Sequence, residues 1–149
     1  MNYLSYQLTF REIPDEVCLS FLISGCPIRC RDCNSKDSWS PLAGKKLDRN
    51  FYMKLLQIKK PWITCVLFLG GEWLEELVDF IKIAQETGLK TALFTGAETI
   101  SEELYTQLDY LKTGPYIKHY GALDNPRTNQ KLINLKTQQR IIHFKEECL

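Results

Sequence analysis

The 149-residue chain predicts an α/β fold: an incomplete, open β/α barrel of about five or six units with a mostly parallel sheet. Three observations lead there. Segments rich in β-formers at 16–23, 63–69 and 89–94 alternate with segments of helical periodicity. The run at 63–69 is almost unbroken in apolar residues, as expected of a strand covered on both faces in a parallel sheet. A closed eight-stranded barrel takes roughly 250 residues, so this length suits only an open one.

Taken in order, residues 1–6 carry neither the basic region nor the apolar core of an export signal. No apolar run approaches the ~18 residues of a membrane span, and a cytoplasmic location is expected. Residues 16–23 form the first core strand and run directly into a loop holding Cys26, Cys30 and Cys33. Asp48 caps a helix over 49–57, with Phe51, Leu55 and Ile58 near helical spacing. The strand at 63–69 stops at Gly70 and Gly71. Leu74, Leu77, Val78, Ile81 and Ala84 then keep the helical period until Gly88. A strand at 89–94 stops at Thr95 and Gly96, and a helix at 101–108 follows. Residues 110–112 and 140–144 are candidate later strands, while 121–127, rich in turn formers, reads as loop. No repeat, linker or low-complexity tract divides the chain, so residues 1–149 are expected to form a single domain.

Composition narrows the function. Nineteen basic against eighteen acidic residues leave a formal charge of +1, which gives no electrostatic case for nucleic acid or an anionic membrane. The six cysteines lack the export signal that would favour disulfides. Cys18 and Cys65 lie within apolar strands, where cysteine is usually a small buried hydrophobe. Cys148, next to the C-terminus, has no assigned role.

The cysteine loop carries the chemistry. Its C-x3-C-x2-C spacing gives three thiolates within one short turn. Iron–sulfur cubanes normally take four cysteines. Three leave one iron free to bind another molecule, by the logic that separates open catalytic metal sites from closed structural ones. Two other classes stay open: a zinc module completed by Cys18, Cys65 or Cys148, and a simple electron-transfer protein with a fourth cysteine ligand. Gly70 and Gly71 read as a turn, or as backbone that a ligand approaches closely. Glu72 is a helix first-turn acid or the partner of an ammonium group. Trp73 reads as packing. In parallel α/β folds ligand sites gather at the carboxyl ends of strands, so the cysteine loop, the Gly70–Glu72 segment and the Thr95–Gly96 segment are expected to share one face.

Together these residues resemble the radical S-adenosylmethionine superfamily. Trp39 six residues past Cys33, the Phe94-to-Gly96 strand end, and residues 113–116 and 128–131 narrow the resemblance. Along 13–131 the chain is similar to the short activases that act on anaerobic ribonucleoside-triphosphate reductase. The resemblance implies that Cys26, Cys30 and Cys33 hold a 4Fe-4S cluster whose fourth iron chelates S-adenosyl-L-methionine. Gly70, Gly71 and Glu72 would receive the methionyl ammonium, and Thr95 would contact the nucleoside or methionyl part. Asp109 and Lys112 would add polar contacts. It further implies reductive cleavage of the sulfonium and hydrogen abstraction from a glycine of the reductase large subunit. The partners are then that large subunit and a reducing electron donor such as flavodoxin; an activase of another glycyl-radical enzyme is the alternative. Radical chemistry of this kind needs no general base, so no side chain is assigned as catalytic. His119 is unassigned, and His143, alternating with apolar neighbours, reads as structural. Two positions depart from the family pattern: Asp32 stands where an aromatic residue often lies near adenine, and Thr113 stands where an acid is common. Residues 112–120 read as a half-exposed strand and loop, or as the border of a groove for a peptide. The lysines at 45–46 and 59–60 read as solvated.

Overall fold

The structure, a computed structural model, describes residues 1–30 and 36–142. Cys33 and Asp32, and likewise His143 and Cys148, lie outside the described residues. The described residues form one eight-stranded open sheet with helices packed on one of its faces. The strands are β1 (Asn2–Thr9), β2 (Cys18–Ile23), β3 (Lys45–Lys46), β4 (Cys65–Leu69), β5 (Lys90–Phe94), β6 (Tyr110–Thr113), β7 (Lys131–Asn134) and β8 (Gln139–Ile141). Their order across the sheet is β3-β1-β2-β4-β5-β6-β7-β8. The four central strands, β2, β4, β5 and β6, pair in parallel. Antiparallel strands extend both edges. The result is an incomplete β/α barrel whose repeating part consists of four strands and three helices.

The helices are α1 (Arg49–Lys59), α2 (Leu77–Glu86) and α3 (Glu102–Gln107). Asp48 caps α1 by accepting from the Phe51 N–H at 3.0 Å, and Ser101 caps α3 through the Leu104 N–H at 3.3 Å. Beyond α2, Gly88 supplies a positive φ of 85° that turns the chain into β5. Each parallel strand divides its side chains by the period of two. Leu19, Phe21, Val66, Phe68, Leu93 and Leu111 meet Tyr52, Leu55, Leu56, Leu77, Phe80, Ile81 and Leu104 from the helices. Cys18, Cys65, Leu67, Ala92 and Tyr110 form a second cluster with Ile13 and Leu132 on the barrel's inner face. Among the described residues no helix is long and apolar enough to cross a membrane.

Three strands lack a mark in the sequence reading. β1 does carry the alternation of Leu4, Tyr6 and Leu8 with Ser5, Gln7 and Thr9, at the very start of the chain. β3 is two lysines held by pairing to Asn2 and Tyr3. β7 has only Leu132 and Ile133 between polar neighbours, and its partner β6 specifies it.

Candidate functional site

The special residues gather where the parallel strands end. The cysteine loop leaves the carboxyl end of β2, and the Gly25 amide, together with that of Cys26, donates to the Ser38 carbonyl, at 2.6 and 3.4 Å. Cys26 and Cys30 are free and partly exposed. The loop leans on the end of β5: a Cβ added at Gly96 would meet Ile28 Cδ1 at 3.1 Å and Cys30 Sγ at 3.7 Å. Gly96 is thus the small residue that admits the loop, bringing Cys30 beside Thr95. Arg29, between the two cysteines, adopts a positive φ of 51° and sets its guanidinium 5.8 Å from the centre of the Trp39 ring.

The end of β4 supplies a second element. Gly70 and Gly71 take φ of 90° and 104°, a pair of conformations that side chains rarely adopt. The Gly70 amide donates to Phe94 at 2.9 Å, tying the turn to β5. The Trp73 ring covers Gly70 and Ile23 packs on Gly71. Glu72 follows. The Thr95 hydroxyl donates to its Oε1 at 2.5 Å and itself accepts from the Ala97 amide at 2.9 Å. Oε2 of Glu72 is buried without a hydrogen-bond partner. Burial pushes the Glu72 carboxyl above its ordinary value, against the hydrogen bond from Thr95 and the charge of Lys112. A carboxylate kept dry with one oxygen unpaired is suited to a cation or a further donor.

A cleft of about 760 Å³ opens on the inner face. Leu69, Phe94 and Lys112 come from the upper ends of the strands, Arg11 and Glu12 from the β1–β2 connection, and Gln130 from the approach to β7. The Lys112 ammonium lies 5.5 Å from the Phe94 ring centre. Above β6, Asn129 donates to the Pro115 carbonyl at 3.0 Å and Gln130 to that of Gly114 at 3.3 Å. Residues 113–116 and 128–131 therefore form one unit, and Thr113 is a ladder partner of Lys131.

Other candidates fall elsewhere. Asp109 immediately precedes β6, at its amino end, where it accepts from the Thr91 amide at 2.9 Å, so it braces the sheet and does not face the cysteine loop. Cys18 and Cys65 are fully buried, in-register neighbours at the amino ends of β2 and β4. The length of β2 alone separates Cys18 from the cysteine loop by about 16 Å, too far for one cluster. Cys65 is held as a neutral thiol by the adjoining Cys18 thiol and by burial, which both push its pKa up. His119 is exposed and packs edge-on against Tyr120. Sequence reasoning does not find Arg11 and Glu12, because only the return of β1 along β2 brings them to the cleft.

Residues 16–142 match the family model described as a 4Fe-4S single cluster domain. The pyruvate formate-lyase-activating enzyme of Clostridium pasteurianum is 37% identical over 78 residues, covering 48% of this chain and 33% of that protein. The matched stretch therefore spans about a third of the length of that curated relative.

Proposed function

Because the chain belongs to the 4Fe-4S single cluster domain family, we propose that it activates a glycyl-radical enzyme. In this reading Cys26, Cys30 and Cys33 hold a 4Fe-4S cluster, and S-adenosyl-L-methionine occupies the open iron. The observation that carries the reading is the cysteine loop at the carboxyl end of β2, seated on Gly96 beside the Glu72–Thr95 pair. The residues present suit both groups. Cys26 and Cys30 are free thiols of the soft type that iron–sulfur clusters take. The unpaired Glu72 oxygen is an acceptor for an ammonium group.

When bound, the two groups would supply one-electron reductive cleavage of the sulfonium and hydrogen-atom abstraction from a glycine Cα. The protein's part is to bind, orient and exclude water. Glu72, fixed by Thr95, would hold the methionyl ammonium, while the turn at Gly70 and Gly71 places that carboxylate at the strand end. Lys112, Phe94 and Leu69 would border the space reached by the target glycine from the cleft.

The similarity to a pyruvate formate-lyase-activating enzyme supports, as the first partner, a glycyl-radical enzyme other than the anaerobic reductase. The large subunit of anaerobic ribonucleoside-triphosphate reductase is the second, favoured by the bonded unit of 113–116 and 128–131 that carries the sequence resemblance. A flavodoxin-type protein would supply the electron. The test is anaerobic reconstitution with iron and sulfide, then incubation with S-adenosylmethionine, reductant and each glycyl-radical enzyme in turn, watched by electron paramagnetic resonance. A glycyl radical on either partner supports activase function and selects between the two. Intact S-adenosylmethionine in both mixtures would overturn it.

A further inference from the structure

One charged surface beside the cysteine loop has no part in the chemistry above. Among the described residues of 24–47 there are four cations, Arg29, Lys36, Lys45 and Lys46, and one acid, Asp37. All four are exposed, and none forms an ion pair among the described residues. Two of them are held in place: the Arg29 guanidinium lies 5.8 Å and the Lys36 ammonium 5.9 Å from the centre of the Trp39 ring. The other two form β3, where Lys45 pairs with Tyr3, which in turn pairs with Ile23, the last residue of β2. The four cations therefore sit at the level from which the cysteine loop departs. Asp48, the next acid along the chain, is occupied in capping α1.

The same segment presents Leu42, 87% exposed and the most exposed large hydrophobic side chain among the described residues. A small anion has no use for an exposed leucine. An exposed apolar side chain on a segment whose described cations outnumber its acids four to one fits a protein surface of net negative charge. None of these residues lines the inner-face cleft, whose walls come from residues 11, 12, 14, 69, 94, 112, 122–124, 130 and 142. A substrate glycine has to enter a cavity, whereas an electron has only to arrive near the cysteines.

Resting on the cluster assignment made above, we infer that the surface formed by Arg29, Lys36, Leu42 and Lys45 docks an acidic, low-potential electron-carrier protein. Docking there delivers one electron from outside the loop while the cleft stays free for the glycine. For a flavin carrier the hydroquinone loses one electron and one is gained at the cluster, leaving the semiquinone; no bond of this chain forms or breaks.

The test uses the reconstituted full chain and reduced flavodoxin as the acidic donor, with cluster reduction followed by stopped-flow absorbance. Photoreduced 5-deazariboflavin, a small uncharged reductant, serves as the control. Lys36→Glu combined with Lys45→Glu should slow reduction by flavodoxin at least about tenfold at low salt, with the deazaflavin rate unchanged. Raising ionic strength should slow the unsubstituted protein and leave the variant nearly indifferent. The milder Lys36→Gln, Lys45→Gln pair should show a smaller loss of the same kind, and covers poor loading of the first variant. A flavodoxin rate within twofold of the unsubstituted protein would overturn the inference. So would an equal loss with deazaflavin, or a loss confined to binding of the glycyl-radical enzyme. Failure of the unsubstituted protein to take up iron and sulfide would instead reject the cluster assignment itself.

Discussion

Two glutamates at opposite ends of the same parallel strands are treated in opposite ways. Glu16 lies at the amino ends, where Lys90 and Thr64 each donate to it at 2.5 Å and Tyr110 at 2.9 Å. Glu72 lies at the carboxyl ends with one donor, Thr95, and one buried oxygen left without a partner. Burial acts upward on both carboxyls. At Glu16 the three donors and the Lys90 charge win, and the carboxyl is held below its ordinary value; at Glu72 burial wins. A satisfied buried charge ties strands together, whereas an unsatisfied one is kept for something that binds. The barrel thus separates a floor built for stability from a rim built for ligands, in line with the division of labour in β/α barrels.

The largest effect that would sharpen this contrast is at the rim. Cys30→Ser should abolish cluster assembly, measured as iron and acid-labile sulfide per chain, while shifting stability by less than about 1 kcal/mol, since Cys30 is only partly buried. Loss of the cluster together with collapse of the fold would break the division.

The floor should answer the other way. Glu16→Gln removes an ionised acceptor from three donors and should cost about 2 kcal/mol in denaturant unfolding, with Lys90 more than half exposed and able to regain water. Iron uptake by the folded fraction should not change. The sign of its pH dependence is fixed. With the folded carboxyl depressed, its contribution is present above the unfolded value of about 4.3 and is lost as pH falls through the folded one. Glu16→Gln should therefore flatten the acid side of the stability profile.

Glu72→Gln should act smaller and opposite. A raised carboxyl binds its proton more tightly in the folded state, so the cluster-free protein loses stability as pH rises from about 4.3 through the folded value. The substitution should remove that decline and raise stability at neutral pH by about 0.5 kcal/mol, while weakening S-adenosylmethionine binding about tenfold by calorimetry. Unchanged affinity would reject the ammonium role.

How far the sequence foretells this depends on range. The parallel core was legible because β2, β4 and β5 are largely apolar runs, with β4 ended by glycine and β5 by threonine, and α2 keeps a clear helical period. The gathering of Cys30, Gly96, Thr95 and Glu72 followed from the rule that loops after parallel strands share an end. Their pairing did not: the Glu72–Thr95 bond joins residues 23 apart and depends on how β4 and β5 lie side by side. The floor was illegible for the same reason, since Glu16 and Tyr110 are 94 residues apart and neither belongs to a motif. Asp109 shows the reverse error: a loose resemblance suggested a cofactor contact, and its place just before β6 makes it a brace for Thr91. The antiparallel edges had weak signals because short strands with a wet side rely on their neighbours.

The smallest effect concerns the seat of the loop. Gly96→Ala adds a methyl 3.1 Å from the end of the Ile28 side chain, which can turn aside, so the cost should be below about 1 kcal/mol. Its mark should be a changed cluster spectrum rather than a changed melting point; the converse would place Gly96 with the floor.

The rim's purpose is tested most directly by electron paramagnetic resonance of the anaerobically reconstituted, reduced protein before and after addition of S-adenosylmethionine. A 4Fe-4S signal whose g-values shift on addition is the predicted result. A signal that stays the same, or bound zinc with no iron–sulfur signal, would contradict it.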